Sequence, residues 1–166
     1  MASTGSRRGF ERRAVLSALA AAPAGWLLLR PASAAEYTSA AEVFAAIDRH
    51  TADVAARLSA LAERLPSARA FADSALADQG RHRAARALLR QRLGLGPASA
   101  PPAPAAAGLS LADLRSAQQA LVYAHAEGLP ALDDDEAVAQ LAQHMNDLAR
   151  QLTVIDLWIE AEQQRG

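Results

Sequence analysis

The chain has 166 residues and no cysteine, which excludes disulfides, thiolate zinc, iron-sulfur clusters, c-type haem and cysteine-rich copper storage. Its 17 basic residues are all arginine and face 18 acidic ones; five of the arginines and one glutamate fall within the first 34 residues. The remainder therefore carries 12 basic against 17 acidic side chains, a balance that argues against nucleic acid as a partner.

The N-terminal segment reads as an address. Arg7-Arg8 and Arg12-Arg13 precede an apolar run from Ala14 to Leu29, which is followed by the small-residue stretch Ala32-Ser33-Ala34. A charged, then apolar, then small-residue order is that of a cleavable export signal. Residues 1–34 are expected to be removed, leaving 132 residues, 35–166, as one domain that works in the periplasm or is secreted. The apolar run is sixteen residues long and interrupted by Pro23 and Gly25, short of the roughly 20 that span a bilayer, so no stable membrane span is expected. Ser6-Arg7-Arg8-Gly9-Phe10 resembles the twin-arginine signal family, with Glu11 and Arg12 in the last two places of its pattern. That resemblance implies the twin-arginine export machinery as a partner, a route often taken by chains already folded around a cofactor or bound to an escort. The pair Arg12-Arg13, directly against the apolar run, would serve a general secretory signal equally well.

Beyond the signal, the periodicity is helical throughout. Residues 39–65 place Val43, Ile47, His50, Val54, Leu58, Leu61 and Leu65 at steps of three and four, one face of a helix. Pro66 breaks it and Ser67 is positioned to cap a second helix over 67–93, with Phe71, Ala75, Asp78, His82, Ala85, Leu89 and Leu93 in line. Gly94 and Gly96 stop that helix, and the Gly, Pro and Ala stretch at 94–109 reads as a linker. Ser110 and Asp113 resemble a capping box that opens a third helix over 110–127, with Leu111, Leu114, Gln118, Leu121 and His125 on its face. Gly128 and Pro130 end it. Asp133 to Glu136 suit the positive end of a fourth helix over 134–163, which presents Val138, Leu141, Met145, Leu148, Leu152, Ile155 and Ile159, broadened by His144, Val154 and Trp158. Four amphipathic helices hide their apolar faces most simply as an all-α four-helix bundle.

Each helix carries one histidine, and His50, His82 and His125 stand where an apolar residue is expected. His50 lies sixteen residues before Pro66 and His82 sixteen after it, so in an antiparallel hairpin both sit about 24 Å from the turn and are expected to face each other. If the linker crosses the length of the bundle, as in ferritin-like topology, His125 reaches about 22 Å; a simple up-down-up-down order places it near about 17 Å. The crossed arrangement is therefore the favoured expectation, and His144 falls near the same level in either. Asp78 precedes His82 by one turn and Asp147 follows His144 by three residues, spacings at which a carboxylate binds the same ion or fixes the imidazole tautomer. The expected metal ligands are thus His50, Asp78, His82, His125, His144 and Asp147. A nitrogen and oxygen set without sulfur suits iron, manganese, zinc or copper(II).

Asp78-Gln79-Gly80-Arg81-His82 resembles the Glu-x-x-His region of ferritin-like and rubrerythrin-like proteins, with Gln79 where that motif has its carboxylate and Leu141 three residues before His144. The resemblance implies a four-helix fold around a di-iron or di-manganese centre and an activity in metal oxidation, peroxide reduction or iron storage. Two expectations follow: an exported bundle that binds a transition metal at a histidine-centred site, with redox activity as one use of it, or an exported structural bundle that engages a protein partner or a second copy of itself.

Overall fold

The structure, a computed structural model, describes residues 37–98 and 110–164. The expected export signal and most of the expected linker lie outside the described residues. The described residues form four helices, α1 (Ala40–Arg64), α2 (Arg69–Arg92), α3 (Leu111–Gly128) and α4 (Asp135–Gln163), with 3-10 turns at Pro66–Ala68 and Leu129–Ala131. No strand occurs among the described residues, and the architecture is an all-α four-helix bundle.

Local chemistry accounts for the helix ends. Ser39 accepts from the Glu42 amide, and Asp134 accepts from the Ala137 amide at 2.8 Å. Ser110 and Asp113 form a reciprocal capping box, so two donors that the helix itself cannot satisfy are paired. Ser67 does not cap α2 as expected; it lies inside the 3-10 turn begun by Pro66, and Ala68 occupies the cap position with no side-chain bond. At the other end of α2, Gly94 adopts φ 67°, and Leu95 and Gly94 amides return to the Arg90 and Gln91 carbonyls at 2.9 and 3.2 Å. This is a Schellman closure, which needs the left-handed conformation that glycine adopts without a Cβ penalty.

α1 packs on α2 and on α3, α3 packs on α4, and α2 meets α4 more lightly. Contacts at the ends fix the helix directions. Gly128 closes so tightly on Val43 that the end of α3 must lie beside the start of α1. Arg92 pairs with Asp134 and Glu136, setting the end of α2 beside the start of α4. Phe71 meets Trp158 edge to face at 4.9 Å, and Arg115 binds Asp156 at 2.6 Å, so α2 and α3 both begin beside the end of α4. α2 and α3 are therefore parallel, and α2 ends at the opposite end of the bundle from where α3 begins. A simple up-down-up-down order is excluded.

The apolar centre is carried by Phe44, Ile47, Leu58, Leu114, Leu121, Leu141, Leu148, Leu152 and Ile155, each essentially fully buried. Each contributes about 1.5–3 kcal/mol of transfer free energy. Buried alanines such as Ala46, Ala72, Ala75, Ala124 and Ala137 let the backbones approach closely. α2 is the exception. Its buried line is Ala72, Ala75, Gln79, His82, Arg86 and Leu89, with a single large apolar side chain.

Candidate functional site

Three histidines from three helices meet inside the bundle. The rings of His82 (α2) and His144 (α4) stack with centroids 4.0 Å apart and planes 23° from parallel. His125 (α3) stands edge-on to His144, with centroids 6.3 Å apart and planes at 77°. All three are buried, His125 at 1% exposure.

Their hydrogen bonds fix two tautomers. A carbonyl oxygen only accepts, so His125 Nδ1, 2.8 Å from the Leu121 carbonyl, carries the proton, and its Nε2 is a free lone pair. His82 Nε2 lies 3.2 Å from Asp147 Oδ2 and donates to it. His125 Nε2 and His144 Nδ1 are buried with no hydrogen-bond partner among the described residues. Leaving such atoms unpaired is expensive.

The surroundings hold the rings neutral. Burial above all pushes His125 down to about 3, assisted by the positive Arg86 and by the neighbouring His144 and His82, against the raising effect of the Leu121 carbonyl. Burial also drives His144 down to about 4, with His82 and Arg86 adding to it and Asp147 opposing. His82 is lowered by burial, with Asp147 opposing. A neutral imidazole is the form that ligates a metal.

The sequence-expected set is brought together in part. His82, His125, His144 and Asp147 share one location, but Asp147 serves His82 rather than His144, three residues before it on its own helix. His50 does not face His82. It is half-buried and makes no hydrogen bond or ring contact with the other three histidines among the described residues; Thr51 turns inward in its place. The inward line of α1 runs Val43, Ile47, Thr51, Val54, Leu58, so it departs from the expected line at His50, whose neighbour Thr51 is buried instead. Asp78 accepts from Gln151 Nε2 at 3.1 Å and pairs with Arg81, and makes no hydrogen bond to His82 among the described residues.

Of the other interior polar groups, Gln118 lies on the expected face of α3, whereas Arg86, Gln79 and Gln151 were not among the expected inward residues. Arg86, 2% exposed, donates from Nε to Asp48 Oδ1 at 3.1 Å and from Nη2 to the Thr51 hydroxyl at 3.2 Å. Gln118 Nε2 reaches the Leu148 carbonyl and Gln151 Oε1 at 3.1 and 3.0 Å. Both amide atoms of Gln79 and the Oε1 of Gln118 are buried and unpaired. Spacing was the available signal: Gln79 and Arg86 flank His82 at i−3 and i+4, so the three lie on one face of α2.

The donor chemistry fits a transition ion, and the ring orientations only partly do. Imidazole lone pairs lie in the ring plane, so the near-parallel stack holds those of His82 and His144 in adjacent planes instead of aiming them at one point. Among the described residues no three His, Asp or Glu side chains close as a ligand group. No helix among the described residues is long and apolar enough to cross a membrane. Compared with family models, curated proteins and solved structures, the chain gives no match to any of them.

Proposed function

We propose that this chain is an exported helical-bundle protein, periplasmic or secreted, that takes up a transition-metal ion at His82, His125 and His144. The observation that carries the reading is the pair of buried, unpartnered imidazole nitrogens, His125 Nε2 and His144 Nδ1, beside a third imidazole from another helix. His125 Nδ1 bonded to a backbone carbonyl and His82 Nε2 bonded to Asp147 are the outer bonds by which metal-ligating histidines are usually held. Those bonds leave His125 Nε2 and His82 Nδ1 as the ligating atoms, with His144 Nδ1 the third once its ring turns out of the stack. Three imidazoles without sulfur suit zinc, copper(II) or iron, and a fourth position would remain for water or substrate. Export is supported by the arginine pair, apolar run and Ala-Ser-Ala stretch in the first 34 residues, and ferritin-like identity by the parallel α2 and α3.

Elemental analysis of the purified chain, followed by calorimetric titration of the metal-free protein with zinc, tests the site. One ion per chain is expected, with His125→Ala and His82→Ala each abolishing stoichiometric uptake while circular dichroism stays helical. Absence of uptake by the wild-type chain refutes the reading. The stacked rings favour one other reading in that event: a structural bundle whose polar interior fixes helix register, acting through a protein partner or a second copy of itself. Mass spectrometry of exported protein should give a chain beginning at Ala35, and an intact Met1 terminus on membrane-bound protein would refute the processing.

A further inference from the structure

A second feature lies on the other side of Arg86 and is independent of the histidine reading. A cavity of about 410 Å³ opens between α2, the start of the following chain and Asp48 of α1. Arg83, Arg86 and Arg90 line it at steps of three and four along one face of α2, against the single carboxylate of Asp48. Leu95 and Pro97 supply an apolar wall.

The charges in this cavity are incompletely matched. Asp48 binds Arg86 Nη2 at 3.0 Å and Arg90 Nη1 at 3.4 Å, so one carboxylate serves two guanidinium groups. Arg90 is held further by its Nε bond to the Gly96 carbonyl at 3.1 Å and by its position over the Phe44 ring at 5.9 Å. Arg83 makes no hydrogen bond or ion pair among the described residues and stands exposed beside them. Arg86 is nine-tenths buried in the same wall. Three like charges kept on one face, with one of them taken out of water, leave an excess of two positive charges at the cavity.

We infer that this cavity binds a small monoanion with a carboxylate head and a short apolar body. Guanidinium groups match a carboxylate through paired N-H donors, and Arg83 and Arg90 are placed to meet the head from one side. The apolar wall of Leu95 and Pro97 would cover the body. The net positive charge attracts a small anion, and the apolar wall favours one that carries an apolar body.

Calorimetric titration of the purified chain with hexanoate and, separately, with acetate tests both halves of the inference. Hexanoate should bind saturably at one site, more tightly than acetate, with affinity falling as sodium chloride rises. Arg83→Ala should weaken hexanoate roughly tenfold, the loss expected for one charge-assisted hydrogen bond, and Arg90→Ala should do so at least as strongly. Arg83 is exposed and unpaired, so its variant keeps the wild-type melting temperature and reports on the cavity rather than on folding. Hexanoate binding that is absent, or unchanged in Arg83→Ala and Arg90→Ala, overturns the site. Acetate binding as tightly as hexanoate overturns the apolar body.

Discussion

Acidifying the metal-free chain should unfold it through its interior histidines, and the size of the effect follows from their burial. An imidazole in the unfolded chain titrates near 6.5, whereas His125 in the bundle is pushed down to about 3 and His144 to about 4. Between those values the unfolded chain binds protons that the folded chain refuses. The stability linked to these groups is therefore fully present above pH 6.5 and is lost progressively as the pH falls toward the folded values. At pH 5, about 1.5 units below the unfolded value, each group withdraws about 2 kcal/mol, and the two together about 4 kcal/mol. His82 and His50 are shifted the same way by burial and add to the loss. Against a total stability of about 5–15 kcal/mol for an ordinary domain, this is a large fraction.

Urea denaturation followed by circular dichroism, in chelator, at half-unit steps from pH 7.5 to 5.0, measures it. Glu42 and Asp113 are held below their ordinary carboxylate values by their Thr38 and Ser110 partners, so they titrate beneath this window. His125→Leu should remove about 2 kcal/mol of the fall, and it leaves stability at pH 7.5 no lower, because the imidazole it removes has an unpaired buried Nε2. Stability unchanged between pH 7.5 and 5.0, or a slope that survives intact in His125→Leu, would refute the reasoning.

Two further outcomes rest on packing and on the buried ion pair. Gly128→Ala places a Cβ 2.4 Å from Val43 Cγ1 and should cost about 1–3 kcal/mol in a urea titration, whereas Gly80→Ala, with open space around the new Cβ inside α2, should stabilise by about 0.5–1 kcal/mol. Arg86→Met should cost about 3 kcal/mol, because Asp48 keeps only the longer contact to Arg90; combining it with Asp48→Asn should recover much of that loss, and a double variant no better than the single one would refute the pairing.

The helices were legible because their signals are local. The expected ranges 39–65, 67–93, 110–127 and 134–163 differ by one or two residues from those observed, since Pro66, Gly94, the Ser110-Asp113 box and the acidic start of α4 each act within a turn. The face of α3 through Leu111, Leu114, Gln118, Leu121 and His125 is buried at every position. On α1 the expected line is buried at Val43, Ile47, Val54 and Leu58 and fails at His50. On α2 it is buried at Ala75, His82 and Leu89 but lies one residue off at Phe71, Asp78 and Ala85, for a compositional reason. With alanine abundant and small, lines through His50 or Thr51, and through Asp78 and Ala85 or Gln79 and Arg86, satisfy helical spacing equally. Only packing against a neighbouring helix decides between them. An arginine among apolar residues also reads as outward until a partner such as Asp48, 38 residues away, is seen to meet it.

The resulting rotation of α2 changes what the bundle is. α1 meets α3 through leucine, isoleucine, valine and alanine, a non-directional association, and α3 adds to its apolar contact with α4 the Arg115–Asp156 pair and the bonds of Gln118. α2 is docked instead by directional groups: Arg86 to Asp48 and Thr51 on α1, His82 to Asp147 and Asp78 to Gln151 on α4, and Arg92 to the start of α4. Alanines at 72 and 75 bring its backbone close but bury little area. The helix with the smallest apolar anchor thus carries His82 on the interior histidine cluster and the three arginines of the anion cavity. Whatever binds at either place acts on the contacts that hold α2 to the other three helices, so ligand occupancy and the docking of this helix are energetically linked.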